Sequence, residues 1–337
     1  MRYIVRRAGQ AFVTIVSVIV GTFILVRSMP GGPVDYLRAQ IMQSRGQSQI
    51  SIRELNNLAA DYMNLHPDKP IWEQLWLYVT SILQGDFGNS LWYDATVSEI
   101  ILRAAPWTLF LLTTAIVLTF AIGILLGAVM AYKEGSLFDA SGTTVSMLFN
   151  SIPYFIAALL FVYVLALQLS WFPASGNYAS GLDPGFSVDF LVSVLYHAIL
   201  PIASLVVTGF GGIALGMRGN AVKEIGEEYI RVAHLRGVPG RRIAVRYVGR
   251  NAVLPLYTQF LISIGFMFGG SVVLEQIFAY PGLGLYLFEA INSRDYPLMM
   301  GIFIVITVFV VSAVLFADLT YGKIDPRVSG EGSGEAY

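Results

Sequence analysis

Between residues 108 and 132 the chain runs without an Asp, Glu, Lys or Arg, and the stretches 140–169, 190–216, 252–274 and 298–317 do the same. About 20 apolar residues of helix cross the roughly 30 Å hydrocarbon core of a bilayer. Backbone within that core must satisfy its own hydrogen bonds, which leaves helices and closed barrels. Runs this long fit only the helix. A further stretch, 8–26, follows Arg2, Arg6 and Arg7, and Arg27, Met29 and Pro30 come after it in place of a small-residue cleavage pattern. It is therefore expected to be retained as a first helix. The expected fold is all-α, a polytopic membrane protein of about six transmembrane helices. With 13% charged residues against 55% hydrophobic ones, the composition departs in the same direction from the quarter or so of charged residues usual in soluble domains.

Basic residues near the ends of spans set orientation. Counting from a cytoplasmic N-terminus, one side carries Arg2, Arg6, Arg7, Lys133, Arg218, Lys223, Arg231, Arg236, Arg241, Arg242, Arg246, Arg250, Lys323 and Arg327. The loop 170–189 on the other side has no Lys or Arg. Both termini are thus expected in the cytoplasm. The net charge of −1 gives no reason to expect nucleic acid, and the absence of cysteine excludes disulfides, thiolate chemistry and Cys-based metal sites.

The chain divides on this reading into a first transmembrane helix (1–28), an extracytoplasmic helical loop (29–105), a transmembrane core (106–321) with a cytoplasmic loop at 217–251, and a cytoplasmic tail (322–337). In the outer loop, Ser51 with Glu54 and Thr96 with Glu99 have the spacing of capping boxes. Leu55, Leu58, Ala59 and Tyr62, then Leu75, Tyr78, Val79 and Ile82, recur at helical spacing. A small helical subdomain on the outer membrane face is expected.

The loop 217–251 has the most unusual pattern. Glu228-Tyr-Ile-Arg-Val-Ala-His-Leu-Arg-Gly237 reads as a short amphipathic helix, with acids at its start and Arg231 and Arg236 near its end, as the helix dipole favours. Gly237, followed by Pro239, reads as its stop. Ile225, Tyr229, Val232 and Ala233 fall on one side and are expected to form an exposed apolar stripe. Arg242, Arg246 and Arg250 then line a second helical segment leading through Leu254 and Pro255 into the next span. Two short helices with a sharp joint make a rigid knob outside the membrane.

With Ala233, Gly237, Val253, Leu254 and Pro255, this loop resembles the coupling loop of ABC import permeases. Arg231-Val232 stands where many of those permeases have Glu-Ala. The chain also carries Gln84-Gly-Asp-Phe-Gly-Asn-Ser90, Tyr280-Pro-Gly-Leu-Gly284, Asn292-Ser-Arg-Asp-Tyr-Pro297 and Asp325-Pro-Arg327. In order and position these are similar to segments of the dipeptide, oligopeptide and nickel permease branch. The resemblance implies the transmembrane domain of a type I ABC importer in a prokaryotic plasma (inner) membrane. It further implies a second homologous permease, two cytosolic ATPase subunits and an extracytoplasmic substrate-binding protein. ATP and magnesium would sit on the ATPases, since this chain has no Gly-x-x-x-x-Gly-Lys-Ser/Thr cradle. On that view Glu228, Tyr229, Arg231, Val232, Ala233, Arg236 and Gly237 couple the permease to its ATPases. Small peptides lead as substrate, with oligosaccharides or nickel as alternatives.

Several residues keep two readings. Asn150 and Ser151 in the third span, and Gln259 and Ser263 in the fifth, could line a translocation path or hydrogen-bond between helices. Gly265, Gly269 and Gly270 could permit close packing or border a pore. Arg241 and Arg242 could set topology alone, and His197 and His234 have no companion at metal-ligand spacing. The rival from another class, an ion-coupled secondary transporter, usually keeps an ionisable residue within the bilayer, and these spans contain no Asp, Glu, Lys or Arg. Neither paired acids nor a His-Glu cluster suggests a catalytic site, so no enzyme is expected.

Overall fold

The computed structural model describes residues 2–28, 57 and 69–324. Helices α1 (Arg2–Ser28), α2 (Ile71–Leu83), α3 (Val97–Tyr132), α4 (Leu137–Asn150) and α5 (Tyr154–Phe161) come first. They are followed by α6 (Val188–Ile225), α7 (Glu228–Leu235), α8 (Arg250–Ile277), α9 (Leu283–Ser293) and α10 (Tyr296–Ile324). Among the described residues the one β pairing is an isolated bridge between Asn89 and Thr96. All six apolar stretches fall on helices, four of them long and apolar enough by themselves to cross a bilayer: Arg6–Ile24, Val97–Tyr132, Val188–Ile225 and Tyr296–Phe316. The stretch 252–274 lies within α8.

The third stretch is not a single straight span. Leu137–Asn150 and Tyr154–Gln168 meet at 89°. Pro153 has no N–H to continue the α4 ladder and biases Ile152 away from helical geometry. At the same place Ser151 turns its hydroxyl back to the Met147 carbonyl at 2.8 Å. Beyond α5 the chain continues as a π-helix, Val162–Gln168.

The chain forms two compact units, one of Met1–Thr108 with Pro281–Leu315 and one of Leu109–Tyr280 with Phe316–Tyr337. In the first, Ile19 and Phe23 of α1, Tyr78 of α2, and Tyr296, Met300 and Ile304 of α10 make a buried cluster. Leu75, Val79 and Ile82 pack against it, as their helical spacing predicts. The Thr96 hydroxyl accepts the Glu99 N–H at 3.3 Å, half of the expected capping box, while the Glu99 carboxylate pairs with Arg103 at 2.9 Å. The box at Ser51 and Glu54, the residues Leu55, Leu58, Ala59 and Tyr62, and Asp325-Pro-Arg327 lie outside the described residues. So do the surroundings of Gly265, Gly269 and Gly270.

Two of the recurring segments meet in this unit across 205 positions. Asp295, fully buried, accepts the Ser90 hydroxyl, the Leu91 and Trp92 N–H groups at 3.0 and 3.1 Å, and the Leu298 N–H at 3.2 Å. Burial pushes its carboxyl up from the usual range, and these donors oppose the shift. The carboxylate thereby caps α10 and holds the 84–90 turn on it.

The second unit is built on α6, against which α4, α5 and α8 pack. Glycines permit the closest approaches. A Cβ at Gly127 of α3 would lie 2.2 Å from the Ala214 carbonyl oxygen, and one at Gly211 would lie 2.2 Å from that of Ser146 on α4. Helices this close gain dispersion contacts that bulkier residues would prevent. Hydropathy and charge alone do not single out these positions. Gly123-Ile-Leu-Leu-Gly127 carries the small-x-x-x-small signature that could have found one of them.

Candidate coupling site and translocation cleft

The loop after α6 folds much as its residues suggest. Glu227, extended at φ −73° and ψ 143°, precedes α7, and Gly237 follows it at φ +73°. The Gly237 N–H reaches the His234 carbonyl at 2.9 Å and the Val238 N–H reaches that of Ala233 at 3.1 Å. This is a Schellman stop, in which the residue at positive φ pays no steric penalty only as glycine. The chain then makes one helical turn, Gly240–Arg242, and a π-helix, Ile243–Gly249, before α8. Wide turns of this kind are rare and concentrate at functional sites.

The orientation of α7 differs from the expectation in one respect. Ala233 does not belong to the exposed stripe. It is buried with Ile230 against Met217, Ala221, Ile243 and Val248 in the core of the second unit. On α7, one strip at helical spacing faces inward and the residues between it face out. The outward apolar surface consists of Ile225, Tyr229, Val232 and Leu235, of which Leu235 is 82% exposed. Arg231 and Arg236 lie among them, exposed, as do Arg242, Arg246 and Arg250 on the second segment.

Three polar side chains tie this helix to the spans on either side. The Tyr229 hydroxyl donates to the Glu224 carboxylate at the end of α6, and Asn251, in the first turn of α8, donates to the Tyr229 oxygen at 2.8 Å and to Glu224 at 3.4 Å. Burial and the carboxylate acceptor hold the Tyr229 hydroxyl above its ordinary pKa, so it stays a donor. Nearby, the Asn220 amide donates to the Ala252 carbonyl at 3.1 Å. These bonds join α7 to the ends of both α6 and α8.

Arg218, which the sequence presents only as one more basic residue, makes a specific contact. Its guanidinium grips Asp139 of α4 with two nitrogens, the second at 2.7 Å. Asp139 also accepts the Gly135 N–H at 3.1 Å. A fork-shaped cation on a carboxylate fixes direction as well as distance, so the bent third span is pinned to α6 at this end. Neither Asp139 nor Glu224 and Asn251 stood out in the sequence, because their partners are brought by the fold.

Of the four path candidates, two come together. Gln259 and Ser263 line an open cleft of about 390 Å³ with Leu112, Thr119, Tyr154 and Gly209. Asn150 and Ser151 lie at the 89° bend instead, where Gly212 leaves room for the Asn150 side chain. The hydroxyls of Ser151 and Ser263 bond to carbonyls of their own helices, at 2.8 Å each, rather than across helices. His197 likewise bonds through Nδ1 to the Ser193 carbonyl at 2.8 Å. Behind α7, Leu125, Val129, Ile225, Ile230, His234 and Val248 help frame an apolar cleft of about 550 Å³.

Residues 123–330 match the family described as binding-protein-dependent transport system inner membrane component. The chain is 31% identical over 341 residues to the di/tripeptide transport system permease protein DppB of Pseudomonas aeruginosa (strain UCBPP-PA14), covering 97% of this chain and 98% of that one. It is 31% identical to the oligopeptide transport system permease protein AppB of Bacillus subtilis (strain 168), over 97% and 98% of the two chains. To the dipeptide transport system permease protein DppB of the same organism it is 32% identical, over 97% of each. A family match across most of the helical core and relatives aligned end to end agree, and the chain belongs to the inner membrane components of binding-protein-dependent transport systems, as a multi-pass, non-catalytic member.

Proposed function

We propose that this chain is one of two permease subunits of an ATP-driven ABC importer and forms half of an alternating-access path for small peptides. A second homologous permease, two cytosolic ATPases carrying ATP and magnesium, and an extracytoplasmic binding protein complete the machine. The observation that carries this reading is the outward apolar face of α7, held by Tyr229, Glu224 and Asn251 on the ends of two spans. Exposed apolar area of this kind asks for a partner surface. Glu228, Tyr229, Arg231, Val232 and Arg236 meet the ATPase. Ala233 and Gly237 shape the helix from within. Gln259 and Ser263 line the path, with Asn150 and Ser151 at the hinge beside it. Peptides are favoured because the full-length relatives are named as di/tripeptide, oligopeptide and dipeptide permeases. The division at 28, 105 and 321, and cytoplasmic termini, belong to the same reading.

In proteoliposomes holding the complete complex and its binding protein, uptake of a labelled dipeptide should require ATP and persist when ion gradients are collapsed. Gradient-driven uptake by this chain alone would overturn the proposal. Uptake of nickel or an oligosaccharide in place of the peptide would reassign the substrate.

Orientation has its own test, made simple by the absence of cysteine. Glu134 and Ser180 are both exposed on loops. In intact cells an impermeant thiol reagent should label Ser180→Cys and spare Glu134→Cys. The opposite pattern would invert the topology.

A further inference from the structure

Helix α2 carries two faces of different fate. Its inner face packs on Phe23 of α1, with the Phe23 and Tyr78 rings 5.6 Å apart, and on the start of α10. Its outer face presents Trp72, Trp76 and Leu83, at i, i+4 and i+11 on one stripe, exposed by 72, 66 and 78%. Glu73, the one acid on the helix, is paired with Lys69 at 3.0 Å, and α2 has no basic residue. Trp92, 66% exposed, follows in the turn after the helix.

What covers that stripe follows from the height at which α2 is held. Phe23 lies three residues before the end of the apolar stretch 8–26, about 5 Å from its limit at 1.5 Å per residue. Tyr296 and Met300 stand at the matching end of the apolar stretch 298–317. Both anchors of α2 are therefore at one boundary of the hydrocarbon layer. At 13 residues, or about 20 Å, the helix is too short to cross that layer. Indole rings prefer this boundary, where their apolar body and N–H each find a suitable neighbour. On α1 itself Phe12, Val16 and Ile24 are likewise exposed apolar side chains.

We propose that α2 is an interfacial helix, lying in the membrane boundary at the end of α1 and the start of α10, with Trp72, Trp76 and Leu83 inserted among lipids rather than against protein. It rests on the membrane placement of α1 and α10 under the proposed function and goes beyond it in assigning lipid as the occupant.

The test uses single cysteines at Trp72, Trp76 and, as a loop control, Asp94, each spin-labelled in the complete complex. Vesicles would be made of phosphatidylethanolamine and phosphatidylglycerol, and accessibility to oxygen would be compared with that to a water-soluble nickel chelate. Labels at Trp72→Cys and Trp76→Cys should read depths of about 5–10 Å below the headgroups, unchanged when binding protein is added, while Asp94→Cys stays in water. Nickel accessibility equal to that of Asp94→Cys would overturn the proposal. Shielding from both reagents, before or after binding protein is added, would do the same by showing a protein cover. The thiol-labelling test at Glu134 and Ser180 distinguishes an error of orientation, which leaves the depth readings as they are, from an error in the occupant.

Discussion

Gly127→Val and Gly211→Val should each prevent the permease from accumulating in folded form. At both sites a Cβ would sit 2.2 Å from a backbone carbonyl oxygen of another helix, Ala214 for the first and Ser146 for the second. A side chain can rotate away from such a clash, but a carbonyl in a helix cannot. Overpacking at the upper end of its usual range, about 3 kcal/mol, is expected, and whole helices must separate to relieve it. Gly219, on the same helix as Gly211, provides the control, since nothing lies within 4 Å of a Cβ there. Gly219→Ala should be neutral or stabilise by about 0.5–1 kcal/mol, because alanine loses less backbone entropy in a helix. Thermal unfolding of the detergent-solubilised chain, followed by size-exclusion, checks all three. Normal elution of Gly211→Val at the wild-type melting temperature would mean that α4 and α6 do not cross at this distance.

The second large effect is expected at α7, the proposed coupling helix, where inward and outward residues should fail in different ways. Val232→Glu and Leu235→Glu touch only the exposed face and should leave the permease folded. Each should weaken retention of the ATPase subunits about 30-fold, the equivalent of a hot-spot loss near 2 kcal/mol. Ala233→Asp instead puts a carboxylate among Ile230, Ile243 and Val248, where an unpaired charge is strongly destabilising. That variant should lose the loop itself, seen as proteolysis between residues 217 and 251. Tyr229→Phe keeps the apolar area but removes the hydroxyl that joins Glu224 and Asn251. ATPases should still bind it, and fewer peptides should cross per ATP hydrolysed. Co-purification, stimulated hydrolysis and uptake measured on the same preparations separate these outcomes. Full retention and stimulation by Val232→Glu and Leu235→Glu together would remove α7 from the ATPase contact.

Much of this protein is local in origin, and that part is legible in the sequence. Each apolar stretch makes a helix because backbone in a bilayer has no other partner than itself. Gly237 ends α7 because the Schellman bonds involve only residues 233–238. The inner face of α2 can be read from spacing alone, and the outline of the loop 217–251 from charges, a glycine and a proline within about twenty residues. What the sequence could not supply is direction and partnership. Spacing alone groups Ala233 with the outward stripe, because helical spacing says which residues share a face but not which face meets the core. Only the packing of α7 on α6 and the π-helix decided that. Pro153 breaks the third span locally, yet its 89° bend depends on how α4 and α5 both lie along α6. Asp139 and Arg218 are 79 positions apart, Ser90 and Asp295 205. No periodicity within a helix reports pairs so distant. They exist because tertiary packing, which for Asp139 and Arg218 includes the close crossing of α4 and α6 opened at Gly211, brings remote carboxylates within reach of the donors that satisfy them.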